Sequence, residues 1–343
     1  MIDDLHIRKD GVVGWITLNR PKALNALTYE MCLEIEKALD QWAMDPAVLM
    51  LIIDAVGEKA FCAGGDIAEI YATGTAGDFS YGRQFWRDEY RMNAKLFRFP
   101  KPVVSFLQGF TMGGGVGVGC HASHRIVCES SQIAMPEVGI GLVPDVGGSL
   151  ILANAPGRLG EYLGTTAARM GPGDAILAGF ADYYLPENGW DDLKSELAET
   201  GDWARVDALA ETAPDAPLST LQPDIDRHFG GETLADILRS LNAEDTDFTS
   251  ETLKKLGRNA PLSMACAVEM IHRLRNTDSI ERALELEYRF THRAMEHGDF
   301  IEGIRAAIID KDRNPKWRHS LGDPLDVDMS KMLRPLGADA LTL

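Results

Sequence analysis

The sequence has no excess of positive charge, no long apolar run and no cysteine framework, and each absence removes a class of function. Lys and Arg total 34 against 52 Asp and Glu, a formal net charge of −18. Such a field repels DNA, RNA and anionic membranes, which are held by extended basic surfaces. Any anionic ligand must then be held by a local group of cations. No apolar stretch reaches the roughly 20 residues of a membrane-spanning helix. The amino-terminal MIDDLHIRKDG has neither a secretory apolar core nor the Arg-rich, acid-poor character of a transit peptide, so a cytoplasmic setting is expected. The cysteines, Cys32, Cys62, Cys120, Cys128 and Cys266, are odd in number and include no CxxC pair, which argues against both a disulfide framework and a thiolate zinc site. There is no GxxxxGK[ST], HExxH or GxSxG, and the glycine runs do not fit GxGxxG. His121 and His124 lie three apart on what reads as a helix but have no third ligand at metal spacing, so no metal is expected.

What is present is an ordinary globular composition: 343 residues, 45% hydrophobic and 25% charged, enough for one large core and an appendage. Strand-like runs at Val12–Leu18, Leu49–Asp54, Val103–Phe106, Arg125–Cys128 and Gln132–Ala134 alternate with helix-compatible segments such as Thr28–Met44 and Gly147–Ala153, an α/β pattern. From Pro186 to Asp247 the chain turns acidic and reads as solvated surface helices and linkers. Asp278 with Glu281, and Asp299 with Glu302, have capping-box spacing; Gly298 closes the first of these helices and Asn314-Pro315 stops the second. The helix from Ser279 to His297 carries Ile280, Leu284, Tyr288, Thr291 and Met295 on one face, read as core packing. No internal repeat or low-complexity tract is evident.

Two glycine clusters follow strands and precede possible helices: Phe61-Cys62-Ala63-Gly64-Gly65-Asp66-Ile67 and Gly113-Gly114-Gly115-Val116-Gly117-Val118-Gly119. Free N–H groups at helix starts favour developing negative charge, and glycine lets a substrate approach the backbone. Two converging N–H groups would make an oxyanion hole for an enolate or a tetrahedral acyl intermediate. The plainer reading of either cluster alone is a tight turn and close helix packing.

Glu137 and Asp145 stand eight residues apart in the run Ser131–Gly148, each directly after a proline and flanked by Ile, Val, Leu, Met and Gly. Prolines favour extended loop backbone here, and apolar neighbours would desolvate a carboxyl and raise its pKa toward acid/base use. Asp145 has an alternative as the N-cap of a helix beginning at Val146. Upstream, Asn19-Arg20-Pro21-Lys22-Ala23-Leu24-Asn25-Ala26-Leu27 puts two cations in one turn, where they could hold phosphate or simply be solvated.

Together NRPKALNAL, AFCAGGDI, QGFTMGGGVGVG and MPEVGIGLVPDVGG, over residues 10 to 185, resemble the crotonase (enoyl-CoA hydratase/isomerase) superfamily. The late EYR and FIEGIRAAIIDKDRNPKW segments extend the similarity to the 3-hydroxyisobutyryl-CoA hydrolase subfamily, to about residue 318. The resemblance implies an α/β crotonase-like spiral of ββα units over residues 1–195, holding the CoA-ester site, and a mainly helical carboxy-terminal region over 196–343. It implies an oxyanion hole from the Gly65 and Gly114 N–H groups. Arg20, Lys22, Ala23 and Leu24 would lie along the CoA, and Ala63, Gly64 and Asp66 would line the acyl-CoA groove. No cofactor is implied, CoA being part of the substrate, and the partner is the acyl-CoA itself. Superfamily members often trimerise, whereas the longer carboxy terminus could cover that surface within one chain, so a homo-oligomer stays open.

Hydratases of the superfamily place one catalytic glutamate at the position of Gly117 and the second at that of Glu137, so one of the pair is missing here. Where hydratases commonly have glycine this chain has Asp145, as the hydrolase subfamily does. Glu89, in DEYRMN, matches a substrate-pocket carboxylate of that subfamily, the alternative being a surface helix residue. The expected activity is hydrolysis of a short hydroxyacyl-CoA thioester. Glu137 would be nucleophile or base and Asp145 would assist it. The rivals are an isomerase or atypical hydratase, and a non-catalytic acyl-CoA-binding protein.

Overall fold

A computed structural model describes residues 3–343. In chain order the elements are β1 (Leu5–Asp10), β2 (Val13–Leu18), α1 (Tyr29–Met44), β3 (Met50–Ala55), β4 (Ala60–Cys62), α2 (Ala68–Thr75), α3 (Ser80–Phe97), β5 (Val103–Phe106), β6 (Phe110–Met112), α4 (Gly114–Gly119), β7 (His124–Val127) and β8 (Gln132–Ala134). There follow α5 (Gly148–Asn154), α6 (Leu159–Thr166), α7 (Pro172–Leu177), β9 (Tyr183–Tyr184), α8 (Trp190–Thr200) and α9 (Ala204–Leu209). The remainder is helical: α10 (Pro217–His228), α11 (Leu234–Asn242), α12 (Asp247–Leu256), α13 (Pro261–Leu274), α14 (Ile280–His297), α15 (Phe300–Ile304) and α16 (Asp326–Leu333).

The contacts divide the chain into two interleaved units: 1–66, 88–134 and 169–219 form the first, and 67–87, 135–168 and 220–343 the second. The boundary at 195 expected from the sequence therefore falls inside the first unit.

The first unit holds every strand. Its larger sheet runs β1-β2-β3-β5-β7-β9, parallel except for the β1–β2 pair, and its smaller sheet β4-β6-β8 is parallel throughout. Each successive pair, β3/β4, β5/β6 and β7/β8, gives one strand to each sheet, and this stepwise repetition is the spiral of the crotonase fold. Strands buried on both faces read as continuous apolar runs, which is why β2 and β3 stand out in sequence. Alternate residues Val13, Trp15, Met50, Ile52, Val104, Phe106, Ile126 and Cys128 turn one face toward Trp190, Leu193 and Leu197 of α8. The acidic stretch beginning at Pro186 thus includes a core helix, in place of the purely solvated surface expected.

The second unit is a helical assembly in which α5, α6 and α13 pack mutually and α14 lies against α5, α13, α15 and α16. Its local signals differ from expectation in three places. The cap of α14 is Ser279, whose side chain accepts the Arg282 N–H, and not Asp278. Asp299 precedes α15 but makes no cap bond, because its Oδ1 accepts the Arg318 N–H at 2.9 Å. The helix after it ends at Ile304 and runs into a π turn, Arg305–Ile309, before reaching Asn314-Pro315. In the first unit, His124 lies in β7, so the helical His121/His124 pair does not form. Among the described residues no helix is long and apolar enough to cross a membrane.

Candidate active site

In the first unit the two segments NRPKALNAL and AFCAGGD are stitched together by backbone. Leu27 N–H donates to Gly64 C=O at 2.9 Å and Asp66 N–H to Leu27 C=O at 2.7 Å, a parallel bridge between Leu27 and Gly65. In such a bridge the N–H of the residue between the two bonded ones, here Gly65, points to the opposite side. Next to the Gly65 nitrogen lies Gly114, the first residue of α4, where helical N–H groups have no intrahelical acceptor. A methyl built on Gly114 would lie 3.2 Å from the Gly65 nitrogen, 3.2 Å from Glu89 Oε1 and 3.3 Å from Leu27 Cδ1. Gly65, Gly114 and Glu89 are therefore neighbours. Glu89 lies on α3 with 3% of its surface exposed, which rules out the surface-helix alternative.

Arg20 builds this loop. Its guanidinium meets Asp66 at 3.0 Å, Asp4 at 3.2 Å and the Ala26 C=O at 2.6 Å, while Asn25 accepts the Arg20 N–H at 2.8 Å. Leu24 and Asn25 both have left-handed backbone, a strained turn that this network holds. Leu24 C=O accepts the Ala63 N–H at 3.0 Å, and Ala23 N–H donates to Arg20 C=O. Lys22 lines a cavity of about 460 Å³ with Pro21, Val56, Gly57, Glu58, Lys59 and Ala60. Of the two cations expected to meet CoA, Arg20 is committed to the loop and Lys22 faces open space beside a second lysine, Lys59.

The second unit brings Glu137 and Asp145 together. Glu137 opens a 3₁₀ turn, Glu137–Ile140, where a loop was expected, and Asp145 precedes the turn into α5. They are 5% and 4% exposed. Burial, then the negative charge of Asp145, holds the Glu137 carboxyl well above the usual carboxylate range, with Glu287 adding to it. Glu137 Oε2 is buried and has no hydrogen-bond partner.

Asp145 is not the cap of α5: that residue is Gly147, which has no side chain to offer. The cap comes from Glu287 on α14, which sequence reasoning missed. Gly147 N–H donates to Glu287 Oε2 at 2.9 Å, Ser149 N–H to Oε1 at 3.2 Å, and the Ser149 hydroxyl to the same Oε1. Burial, outweighing these donors and aided by Asp145, pushes Glu287 up to about 8. A signal was available: Glu287 lies three residues after Leu284 and four before Thr291, on the apolar face of its helix.

Among the described residues no group of three or more His, Cys, Asp or Glu is placed to hold a metal ion.

A family model described as enoyl-CoA hydratase/isomerase matches residues 13–332. The chain is similar to the mitochondrial 3-hydroxyisobutyryl-CoA hydrolases of Gallus gallus (33% identical over 352 residues, 99% of this chain and 91% of the relative) and Rattus norvegicus (35% over 344, 97% and 89%). Among solved structures, an enoyl-CoA hydratase from Rhodobacter sphaeroides 2.4.1 matches at TM-score 0.94 and 56% identity, covering 99% of this chain and 100% of that one. A carnitinyl-CoA dehydratase from Mycobacterium thermoresistibile matches at TM-score 0.94 and 38% identity, covering 99% of each chain. With a family match across nearly its whole length, and near-complete relatives above 30% identity, the chain belongs to the enoyl-CoA hydratase/isomerase (crotonase) family.

Proposed function

We propose that the protein hydrolyses a short-chain hydroxyacyl-CoA thioester of the 3-hydroxyisobutyryl-CoA kind to the free acid and CoA. The observation that carries this reading is the orphaned Oε2 of Glu137, buried beside a second carboxyl at Asp145. An unsatisfied buried oxygen costs about 1–3 kcal/mol. Such groups are kept where a ligand or water supplies the missing partner.

The Gly65 and Gly114 N–H groups would take the thioester oxygen as it gains charge. Glu137 then acts in one of two ways. As nucleophile, its carboxylate bonds to the carbonyl carbon, the C–S bond breaks, CoA leaves as thiolate, and water cleaves the mixed anhydride. As base, it takes a proton from the water that attacks the same carbon. Asp145 orients Glu137, the attacking water or the acyl hydroxyl, and Glu89, beside Gly114, would take part in substrate recognition. Lys22, with Ala23 and Leu24, would run along the CoA, and Ala63, Gly64 and Asp66 along the acyl-CoA groove. Label on Glu137 after a single turnover in ¹⁸O-water marks an anhydride opened at the glutamyl carbon, and an acyl group trapped on Glu137 by hydroxylamine marks one opened at the acyl carbon; the base route gives neither.

A second reading, hydration of an enoyl-CoA, is favoured by the likeness to the 56%-identical enoyl-CoA hydratase of Rhodobacter sphaeroides. Against it stands Gly117, which puts no acid where hydratases of the superfamily carry their other glutamate. Thiol release from 3-hydroxyisobutyryl-CoA and 3-hydroxypropionyl-CoA, set against hydration of crotonyl-CoA, decides. Hydrolysis abolished by Glu137→Gln and reduced by Asp145→Asn supports the first reading; hydration without thiol release selects the second.

A further inference from the structure

Asp145 sits on backbone that local preference would not hold. The two residues after it, Val146 (φ 52°) and Gly147 (φ 80°), are both left-handed, and a β-branched residue rarely adopts that region. The turn closes when the Asp145 C=O accepts the Gly148 N–H at 2.7 Å. The Gly147 N–H points the other way, into the Glu287 carboxylate at 2.9 Å.

We infer that Glu287 is a positioning residue for Asp145: its carboxylate pins the turn and the first turn of α5 from a helix 140 residues away. The inference rests on the hydrolase reading only in giving Asp145 a chemical task. Three donors converge here, the Gly147 N–H on one oxygen and the Ser149 N–H and hydroxyl on the other. Both oxygens must accept, and a carboxyl does this in either state: ionised it accepts on both, and protonated it still accepts the Gly147 N–H on Oε2 and the Ser149 N–H on Oε1 while its O–H turns to the Ser149 hydroxyl. A glutamine in this place would turn an NH₂ group toward a backbone donor.

The residue type is otherwise a poor choice. Glu287 has no exposed surface, and the titratable groups acting on this pocket include two more carboxyls, Asp145 before α5 and Glu137 in its 3₁₀ turn. The usual local cap is closed to α5, because its N-cap, Gly147, is left-handed (φ 80°) and a Ser or Thr there would be strained, so its N–H groups must be met from elsewhere. Retaining an acid that repels both site carboxyls makes sense if the conformation it fixes is the one the site uses.

The test is a double-mutant cycle of Glu287→Gln with Asp145→Asn, with Ser149→Ala as a milder change that removes one of the three donors. Amide exchange of the peptide spanning 145–150 should accelerate about tenfold in Glu287→Gln and little elsewhere. The kcat for thioester hydrolysis should fall at least tenfold in Glu287→Gln and a few-fold in Ser149→Ala, with KM within about twofold. In an Asp145→Asn background the further loss from Glu287→Gln should shrink to less than threefold, because a residue acting through Asp145 has nothing left to position. An equal loss in both backgrounds, or faster exchange with unchanged kcat, overturns the inference. If the wild type hydrolyses none of the esters, the hydrolase reading fails. The same cycle on crotonyl-CoA hydration, with the exchange measurement, then decides the role of Glu287.

Discussion

Gly114 faces the backbone nitrogen of Gly65 so closely that a single methyl on it would stand 3.2 Å from that nitrogen. On the proposed hydrolase reading, such a methyl would stand in the space where the thioester oxygen accepts both N–H groups. Gly114→Ala should lower kcat/KM for thioester hydrolysis about 10²-fold or more, the scale of losing an oxyanion donor. Its backbone is not left-handed and alanine is the better helix former, so the three contacts at 3.2–3.3 Å should cost the fold no more than about 1–3 kcal/mol. Steady-state kinetics with a thermal melt checks both halves; a large fall in melting temperature would mark Gly114 as a packing glycine.

Glu137→Gln should cost at least 10³-fold in kcat and yet raise stability in a pH-dependent way. Burial first, then the charge of Asp145, raises the folded-state Glu137 carboxyl well above the ordinary glutamate value. With the folded value the higher, the stability of the protonated form is complete below the unfolded value and is lost as pH rises through the folded one. Glutamine cannot ionise and escapes that loss. Melting temperatures of the two proteins should differ little near pH 4.5, with the variant ahead by pH 8. Equal curves across the range would mean that Glu137 is not a strained acid.

Local pattern made much of this legible. Each predicted strand lies within about one residue of an observed one, because buried parallel strands are continuous apolar runs. Glu137 and Asp145 stood out as acids in an uncharged stretch. The misreadings have a common cause in partners distant in sequence. Asp145 looked like a helix cap because the true cap, Glu287, comes from 140 residues away, and Asp299 looked like one because the Arg318 N–H that claims it is 19 residues on. Arg20 read as a free cation because Asp66, which holds it, is 46 residues downstream. Interleaving of the two units has the same origin, since chain order does not record which segments pack together.

Glu161 gives the second unit an electrostatic tie. Although burial would raise it, hydrogen bonds from His272, Arg158 and Arg275 pull this carboxyl down to about 2 and join α6 to the end of α13. A lowered folded value contributes stability above the unfolded one and loses it as pH falls through the folded one. Glu161→Gln should therefore cost about 1–3 kcal/mol at pH 7, discounted because both arginines are partly exposed, and the deficit should close between about pH 4.5 and 2. Denaturant titrations at neutral and acid pH measure this; a deficit that persists below pH 2.5 would show that packing, not charge, is what the substitution removed.

Lys22 and Lys59 line one cavity of about 460 Å³ in a protein of net charge −18. A local pair of cations is what an anionic nucleotide would need to overcome that field. Replacing both lysines by alanine should raise KM for an acyl-CoA about tenfold with kcat unchanged, since the lost contact serves ground state and transition state alike. The same ester carried on pantetheine, which lacks the nucleotide and its phosphates, should show no change. Added salt should raise KM for the CoA ester in the wild type and much less in the variant, because screening acts only where charges attract. A parallel rise in KM for both esters would put the nucleotide elsewhere and leave the lysines as solvated surface charge.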